Sequence, residues 1–153
     1  MSFTSIWIHA VWSTKNRKPL LLTDFRDDVF NHILENGKKH NIYIDTINGY
    51  LEHVHCLLSM NRHQSISECV KLLKGESAFW INKNKISKFK FNWQDDYFAT
   101  SISCSDLNEL RKYINNQSTH HRKVSFQEEY NNFLKNIKHF WFLGFGCFTY
   151  HLI

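Results

Sequence analysis

Ile42-Tyr-Ile-Asp-Thr-Ile47, the pair Asn48-Gly49, and His53-Val-His-Cys-Leu-Leu-Ser-Met60 make up the stretch that decides how this chain folds. The first run is β-branched and partly alternating, and the last is apolar. Asn-Gly with a few residues after it predicts a turn between them, so the two runs read as strands of one hairpin. Alternate side chains of a strand share a face, and the imidazoles of His53 and His55 therefore point the same way from a rigid support.

Upstream of the hairpin, residues 3–13 are rich in β-branched and aromatic types (Phe3, Ile6, Trp7, Ile8, Val11, Trp12) and give way to a polar, basic stretch, predicting a first buried strand. From about Asp24 to His40, Phe25, Val29, Phe30, Ile33 and Leu34 follow helical spacing, with Gly37 near the expected stop. Downstream, Ser65 and Glu68 have capping-box spacing, and Ile66, Val70, Leu73, Ser77 and Trp80 mark one helical face. Residues 97–103 read as a fourth strand. Asp106 and Glu109 open a last helix carrying Leu107, Leu110, Tyr113, Ile114 and Gln117. The order βαββαβα with an antiparallel hairpin defines an α+β fold, a ferredoxin-like βαββαβ sandwich with an added C-terminal helix that carries the tyrosine.

A chain of 153 residues fits one domain able to bury its own core, and one Pro with five Gly leaves no linker. There is no repeat. The charges follow the apolar start instead of preceding it, the reverse of a secretory leader, so a cytoplasmic protein is expected. Cys56, Cys69, Cys104 and Cys147 lie far apart, which speaks against both a zinc knuckle and a disulfide framework and predicts reduced, mostly buried thiols. A net charge of +5 with ten histidines fits a polyanionic partner. The basic residues gather at Lys15, Arg17 and Lys18, at Lys71 and Lys74, from Lys83 to Lys90, and at Arg111, Lys112, Arg122 and Lys123.

Two imidazoles supply half of a divalent-metal site. Tyr113 and Gln117 are four apart on the predicted helix and so neighbours on one face, bringing a hydroxyl and an amide oxygen to one spot. Two imidazoles, one amide oxygen and positions left for phosphate oxygens make a plausible octahedral Mg²⁺ or Mn²⁺ site.

These pieces carry a resemblance. VWSTKNRKPLL (11–21), EHVHCLL (52–58), LLKGESAFW (72–80), WQDDYFATSIS (93–103) and YINNQSTHHRKVSFQEEY (113–130) resemble, in order, the single-tyrosine transposases of the HUH nuclease superfamily, the insertion sequence 200/605 type of small bacterial elements. The resemblance implies that His53, His55 and Gln117 hold a divalent metal, Mg or Mn, and that Tyr113 is the nucleophile. It further implies cleavage and rejoining of single-stranded DNA at hairpin-bearing ends through a 5′-phosphotyrosine, and a homodimer whose tyrosine helix completes the partner's site. Lys15, Arg17, Lys18, Lys71, Lys74, Arg111, Lys112 and the lysines from 83 to 90 are candidates for contacts to DNA phosphates, and exposed aromatics for stacking on unpaired bases.

Glu52 stands where the family commonly shows Asp. His120 and His121 read as helix-end or DNA-proximal histidines, and the spacing of Glu76 and Asp95 singles out neither as a support for the metal ligands. The domain is expected over 1–138. The apolar, aromatic tail 139–153 departs from the charged, helical end expected of the family and is too short to span a bilayer. Two further readings share the same residues: a host-adopted nickase of repeat hairpins, and a catalytically decayed hairpin-binding protein.

Overall fold

The computed structural model describes residues 3–121 and 123–142. Four strands, β1 (Ile6–Ser13), β2 (Tyr43–Gly49), β3 (His53–Met60) and β4 (Phe98–Ser101), form one antiparallel sheet in the order β2-β3-β1-β4. Helices α1 (Arg26–Lys39) and α2 (Ile66–Lys83) form the two crossovers, and α3 (Leu107–Asn115), α4 (Gln117–His120) and α5 (Phe126–Phe142) follow β4. The ferredoxin-like α+β expectation is borne out, including the added helix that carries Tyr113.

Strand alternation divides the sheet's side chains into two sets. Ile8, Ala10 and Trp12 of β1 and Val54, Cys56, Leu58 and Met60 of β3 join the main core with Val29, Phe30 and Ile33 of α1 and Val70, Leu73 and Ile81 of α2. The opposite set includes His9 of β1 and His53, His55 and Leu57 of β3. Leu57 packs there with Leu107 and Ile114 of α3, and Trp7, Leu110 and Tyr113 border that smaller cluster. Ser77 is the one polar member of the α2 core stripe read from the sequence. It is buried and satisfied, donating to Leu73 O at 2.6 Å and accepting from Trp93 Nε1 at 2.9 Å.

Three local features differ from the sequence reading. Asn48 and Gly49 belong to β2, where they pair with His55 and Val54, and the turn falls on residues 50–52, with Tyr50 N donating to His53 O at 3.1 Å. Gly49 is required by close approach: an added Cβ would collide with the His53 carbonyl oxygen and stand 3.0 Å from Val54 Cα. Next, β2 shifts register between Ile44 and Thr46, leaving Asp45 as an extra residue. Ile44 and Ile47, three apart, can then both pack on the main core.

Finally, the tyrosine helix does not run through to Gln117. It stops at Asn115; Asn116 leaves helical geometry at φ −94°, ψ 18°; and Asn48 Nδ2 donates to Asn115 O at 3.0 Å, engaging a carbonyl that a continuing helix would have used.

The chain divides into two compact units, Met1–Ser118 and Thr119–Ile153. In the second, Ser125 and Glu128 form a reciprocal capping box at the start of α5 (Ser125 N to Glu128 Oε2 3.0 Å, Glu128 N to Ser125 Oγ 3.3 Å). Within the same unit, Glu129 lies 3.3 Å from His121 Nε2 and 3.7 Å from His120 Nε2. Residues 139–142 of the expected tail form the last turn of α5, whereas 143–153, with Cys147, and Arg122 lie outside the described residues. Cys56 and Cys69 are buried free thiols, but Cys104 is exposed. No helix among the described residues is long and apolar enough to cross a membrane.

Gly49→Ala is expected to lower stability by about 1–3 kcal/mol, the usual penalty of overpacking, because the new methyl group must displace backbone on β3. Chemical denaturation of the two proteins side by side measures the difference, and equal midpoints would show that the turn absorbs the methyl group.

Candidate active site

The buried polar residues of the smaller cluster come from three elements. Pairing of β1 with β3 sets Ser13 opposite His53, Val11 opposite His55 and His9 opposite Leu57, so His9 is the diagonal neighbour of His55 on the same face. The rings of His53 and His55 have centroids 5.0 Å apart at 82°, and both side chains are fully buried. Tyr113 on α3 places its ring edge-on to those of His55 and His9, with centroids 5.7 and 6.4 Å away. Gln117, one turn beyond and across the helix break, is also fully buried. Its Oε1 lies 3.3 Å from His53 Nε2, and its Nε2 donates to Tyr113 O at 3.3 Å.

The hydrogen-bonding around His53 indicates what these residues can hold. His53 Nδ1 lies 3.3 Å from the Glu52 carboxylate and Nε2 3.3 Å from the Gln117 amide oxygen, two groups that only accept. A neutral imidazole has a single N–H and can donate to only one of them. Donating to Glu52, it presents the Nε2 lone pair beside the amide oxygen, a pair of donors suited to a divalent cation, with the carboxylate orienting the ring from behind. Glu52, where the resemblance expects Asp, sets its carboxylate on His53 Nδ1.

His55 has a corresponding partner in His9, whose Nε2 stands 3.0 Å from His55 Nδ1, with the rings stacked at 5.2 Å and 20°. Burial pushes His9 down to about 4, so at physiological pH it is a neutral ring able to accept the Nδ1 proton of His55 and leave Nε2 of His55 for a metal. His9 was absent from the sequence reading. Its signal was there, since His9 alternates with Ile8, Ala10 and Trp12 and must face away from the core those residues build.

Helix α3 is latched to the sheet by Arg111, whose Nε and one terminal nitrogen donate to the two carboxylate oxygens of bulged Asp45 at 2.8 and 2.9 Å. The Arg111 guanidinium holds the Asp45 carboxyl below its ordinary value. Arg111, a candidate for contact with DNA phosphates, has its guanidinium on Asp45.

The other basic candidates fall on separate surfaces. Lys15 pairs with Asp95 at 2.9 Å, and Lys74 donates to Asp95 O at 2.8 Å. Both line a groove of about 580 Å³ with Lys71 and Tyr97. Arg17 and Lys112 are exposed, while Lys18 lines a second groove with Lys88 and Lys90. Glu76 is engaged by His32 at 2.7 Å and Asp95 by Lys15, so both carboxylates have partners away from His53 and His55.

Residues 2–117 match the model of the family described as "Transposase IS200 like", and the chain belongs to that family. It is similar to the ISDra2 transposase TnpA of Deinococcus radiodurans, with 25% identity over 114 residues that cover 71% of this chain and 81% of the relative. Two solved structures share the fold. One is a protein of Deinococcus radiodurans R1 described as a transposase (TM-score 0.60, 22% identity, 76% of this chain and 93% of that one). The other is a REP-associated tyrosine transposase bound to a REP hairpin (TM-score 0.58, 19% identity, 81% and 76%).

On the expectation that His55 holds a divalent metal, His9→Leu is expected to weaken Mn²⁺ binding about tenfold or more while the fold persists, because the ring that orients His55 is gone. Calorimetric titration of both proteins reads it, and equal affinities would remove His9 from that role.

Asp45→Asn, which ends the bidentate pairing with Arg111, is expected to cost about 1–2 kcal/mol at neutral pH. Because the folded-state pKa of Asp45 is lowered, its contribution is present above about pH 4, the unfolded value, and disappears as pH falls through the folded one. Wild type and variant should therefore converge in stability on acidification, as thermal melts across pH would register.

Proposed function

We propose that this transposase cleaves and rejoins single-stranded DNA at hairpin-bearing ends, with Tyr113 as nucleophile and a divalent metal, Mg or Mn, held by His53, His55 and Gln117. The observation that carries the reading is the meeting of these groups on one buried sheet face: Gln117 Oε1 at 3.3 Å from His53 Nε2, and the Tyr113 ring edge-on to His55 at 5.7 Å.

In this reading the Tyr113 oxygen attacks phosphorus in line. The bond from the Tyr113 phenolic oxygen to phosphorus forms, the bond from phosphorus to the 3′ oxygen breaks, and the proton that the phenol gives up is balanced by the one the leaving oxygen takes up to become a 3′-hydroxyl. The 5′ phosphate stays on the protein as a phosphotyrosine, so the energy of the broken ester is kept. A 3′-hydroxyl from a second strand reverses the step, joining the strands and releasing the phenol, without ATP. The metal, when bound, supplies positive charge to the non-bridging phosphate oxygens. Glu52 and His9 keep the two imidazoles turned toward the phosphate, and the hydrogen bond from Gln117 to Tyr113 O ties the amide ligand to the helix bearing the nucleophile. His9, His55 and Leu57 are all buried, so water is kept from the sheet face that carries the imidazoles.

A related fold carries a bound REP hairpin, and we extend hairpin recognition to this chain, together with a homodimer in which two copies hold two ends. The cytoplasm is the expected compartment. A host-adopted nickase would use the same chemistry. A decayed hairpin-binding protein would retain affinity without covalent chemistry, and the orderly partnering of both histidines favours the enzyme.

Tyr113→Phe is expected to abolish the covalent protein–DNA product, by a factor of at least about 10³ in rate, and to leave DNA affinity within about twofold. Labelled single-stranded DNA from the gene's flanks, incubated with Mg²⁺ or Mn²⁺ and run on a denaturing gel, separates the outcomes. An equal adduct from the variant would remove Tyr113 as nucleophile, and binding without any adduct from the wild type would favour the decayed module.

A further inference from the structure

The second unit carries a cluster of ionisable groups that the proposed strand chemistry does not use. His120 closes α4, His121 follows it, and Glu129 stands on the first turn of α5. Glu129 Oε2 lies 3.3 Å from His121 Nε2, and its Oε1 lies 3.7 Å from His120 Nε2. The carboxylate is 4% exposed and the His121 side chain 2%, so negative charge is held where water does little to stabilise it. A buried carboxylate of this kind calls for a cation beside it.

Local backbone geometry positions the three side chains. Lys123 N and Val124 N both donate to His120 O, at 3.0 and 3.1 Å, folding the chain back after α4. The capping box of Ser125 and Glu128 sets where α5 begins, and with it the side on which Glu129 emerges. His121 Nδ1 lies 2.9 Å from Val124 O, which only accepts, so that nitrogen carries the ring's proton. In the neutral ring, Nε2 is then a lone pair turned to the carboxylate, and the two acceptors need a cation between them. The spacing says which cation. At 3.7 Å, His120 is beyond hydrogen-bonding range of the carboxylate. Ligand atoms on a tetrahedral Zn²⁺, with bonds of about 2.0–2.2 Å, stand roughly 3.3–3.6 Å apart. An ion among the three groups accounts for both contacts of Glu129, where a proton on His121 would account for one.

We propose that His120, His121 and Glu129 bind a Zn²⁺ ion as a clasp between the end of α4 and the start of α5, separate from the ion assigned to His53, His55 and Gln117. Two imidazoles and a carboxylate are a donor set that zinc takes. The Val124 carbonyl orients His121 from behind, and His120, 30% exposed, leaves the fourth position to water. Because the three residues meet only in the folded turn, the ion stabilises that turn when bound. The clasp is independent of Tyr113 and of strand cleavage.

The test titrates Co²⁺, which takes zinc sites and shows intense visible bands when tetrahedral, into the metal-free full chain. Wild type should develop the tetrahedral bands. Glu129→Gln should weaken that binding by more than about a hundredfold, beyond the roughly 10–100-fold lost when only an outer partner of a ligand is removed. His120→Ala, at a part-exposed position that spares the fold, should erase the bands as well, and His53→Ala should leave them in place. Absence of tetrahedral bands in wild type overturns the proposal and leaves a trio held by protons. Bands that survive both Glu129→Gln and His120→Ala overturn it too. So do bands lost with His53→Ala, in a variant whose far-ultraviolet circular dichroism matches wild type, because all these side chains would then serve a single ion.

Discussion

The register of β1 against β3 is the constraint on which the rest of the molecule depends. Eight consecutive antiparallel pairs run from Ile6 with Met60 to Ser13 with His53, and every one assigns two side chains to the same face. A slip of one residue would turn His53 and His55 into the apolar core and Val54 and Cys56 out of it, exchanging two imidazoles that need hydrogen-bonding partners for two groups that need none. Burial of Ile8, Ala10 and Trp12 against α1 and α2 therefore does more than stabilise the sheet: it holds the histidines in place on the far side. Placement of the site and formation of the core are one event, stabilised by the same contacts.

On the far side, α3 covers a face that is polar where it matters. His9, His53, His55 and Gln117 are all buried there, and each has a partner among its neighbours: Glu52 and Gln117 for His53, His9 for His55, and Tyr113 O for Gln117. In a low-dielectric setting such a network holds its members in fixed orientations, and it leaves the Nε2 of His53 and the Gln117 oxygen side by side as two acceptors. The helix break serves that end. By engaging Asn115 O, Asn48 lets the chain turn before Gln117, so the azimuth of the amide oxygen is not dictated by the helical angle from Tyr113.

Much of this was legible in the residues. Alternation, capping pairs and the hairpin are enough for the order of elements from β1 to α3, though not for α5, and the helical spacing of Val70, Leu73 and Ser77 locates the buried face of α2. The histidine pair and the tyrosine could be brought to one face because strand and helix periods are local properties. What escaped was set by non-local contacts. Gly49 reads as a turn residue, but its lack of a side chain is used for passage against the His53 carbonyl. Nothing local to Arg111 announces its pairing with Asp45, which β2 supplies. His9 looks like one polar residue in an apolar strand, and only the pairing of β1 with β3 reveals that it lies diagonal to His55.

The bulge at Asp45 has a consequence for how this lineage can vary. Side-chain facing along a strand is a matter of parity, odd or even, and the extra residue reverses that parity once, between Ile44 and Thr46. Ile44 sits before the reversal and Ile47 after it, yet both reach the core; Asn48 thereby falls on the side of Asn115. Between Ile42 and Gly49, then, the chain counts in twos. Insertions or losses of a single residue there would swap which half of the strand feeds the core and which feeds the helix, whereas paired changes would leave the count intact. A length polymorphism harmless in a surface loop becomes, within this short segment, an arithmetic constraint on descent.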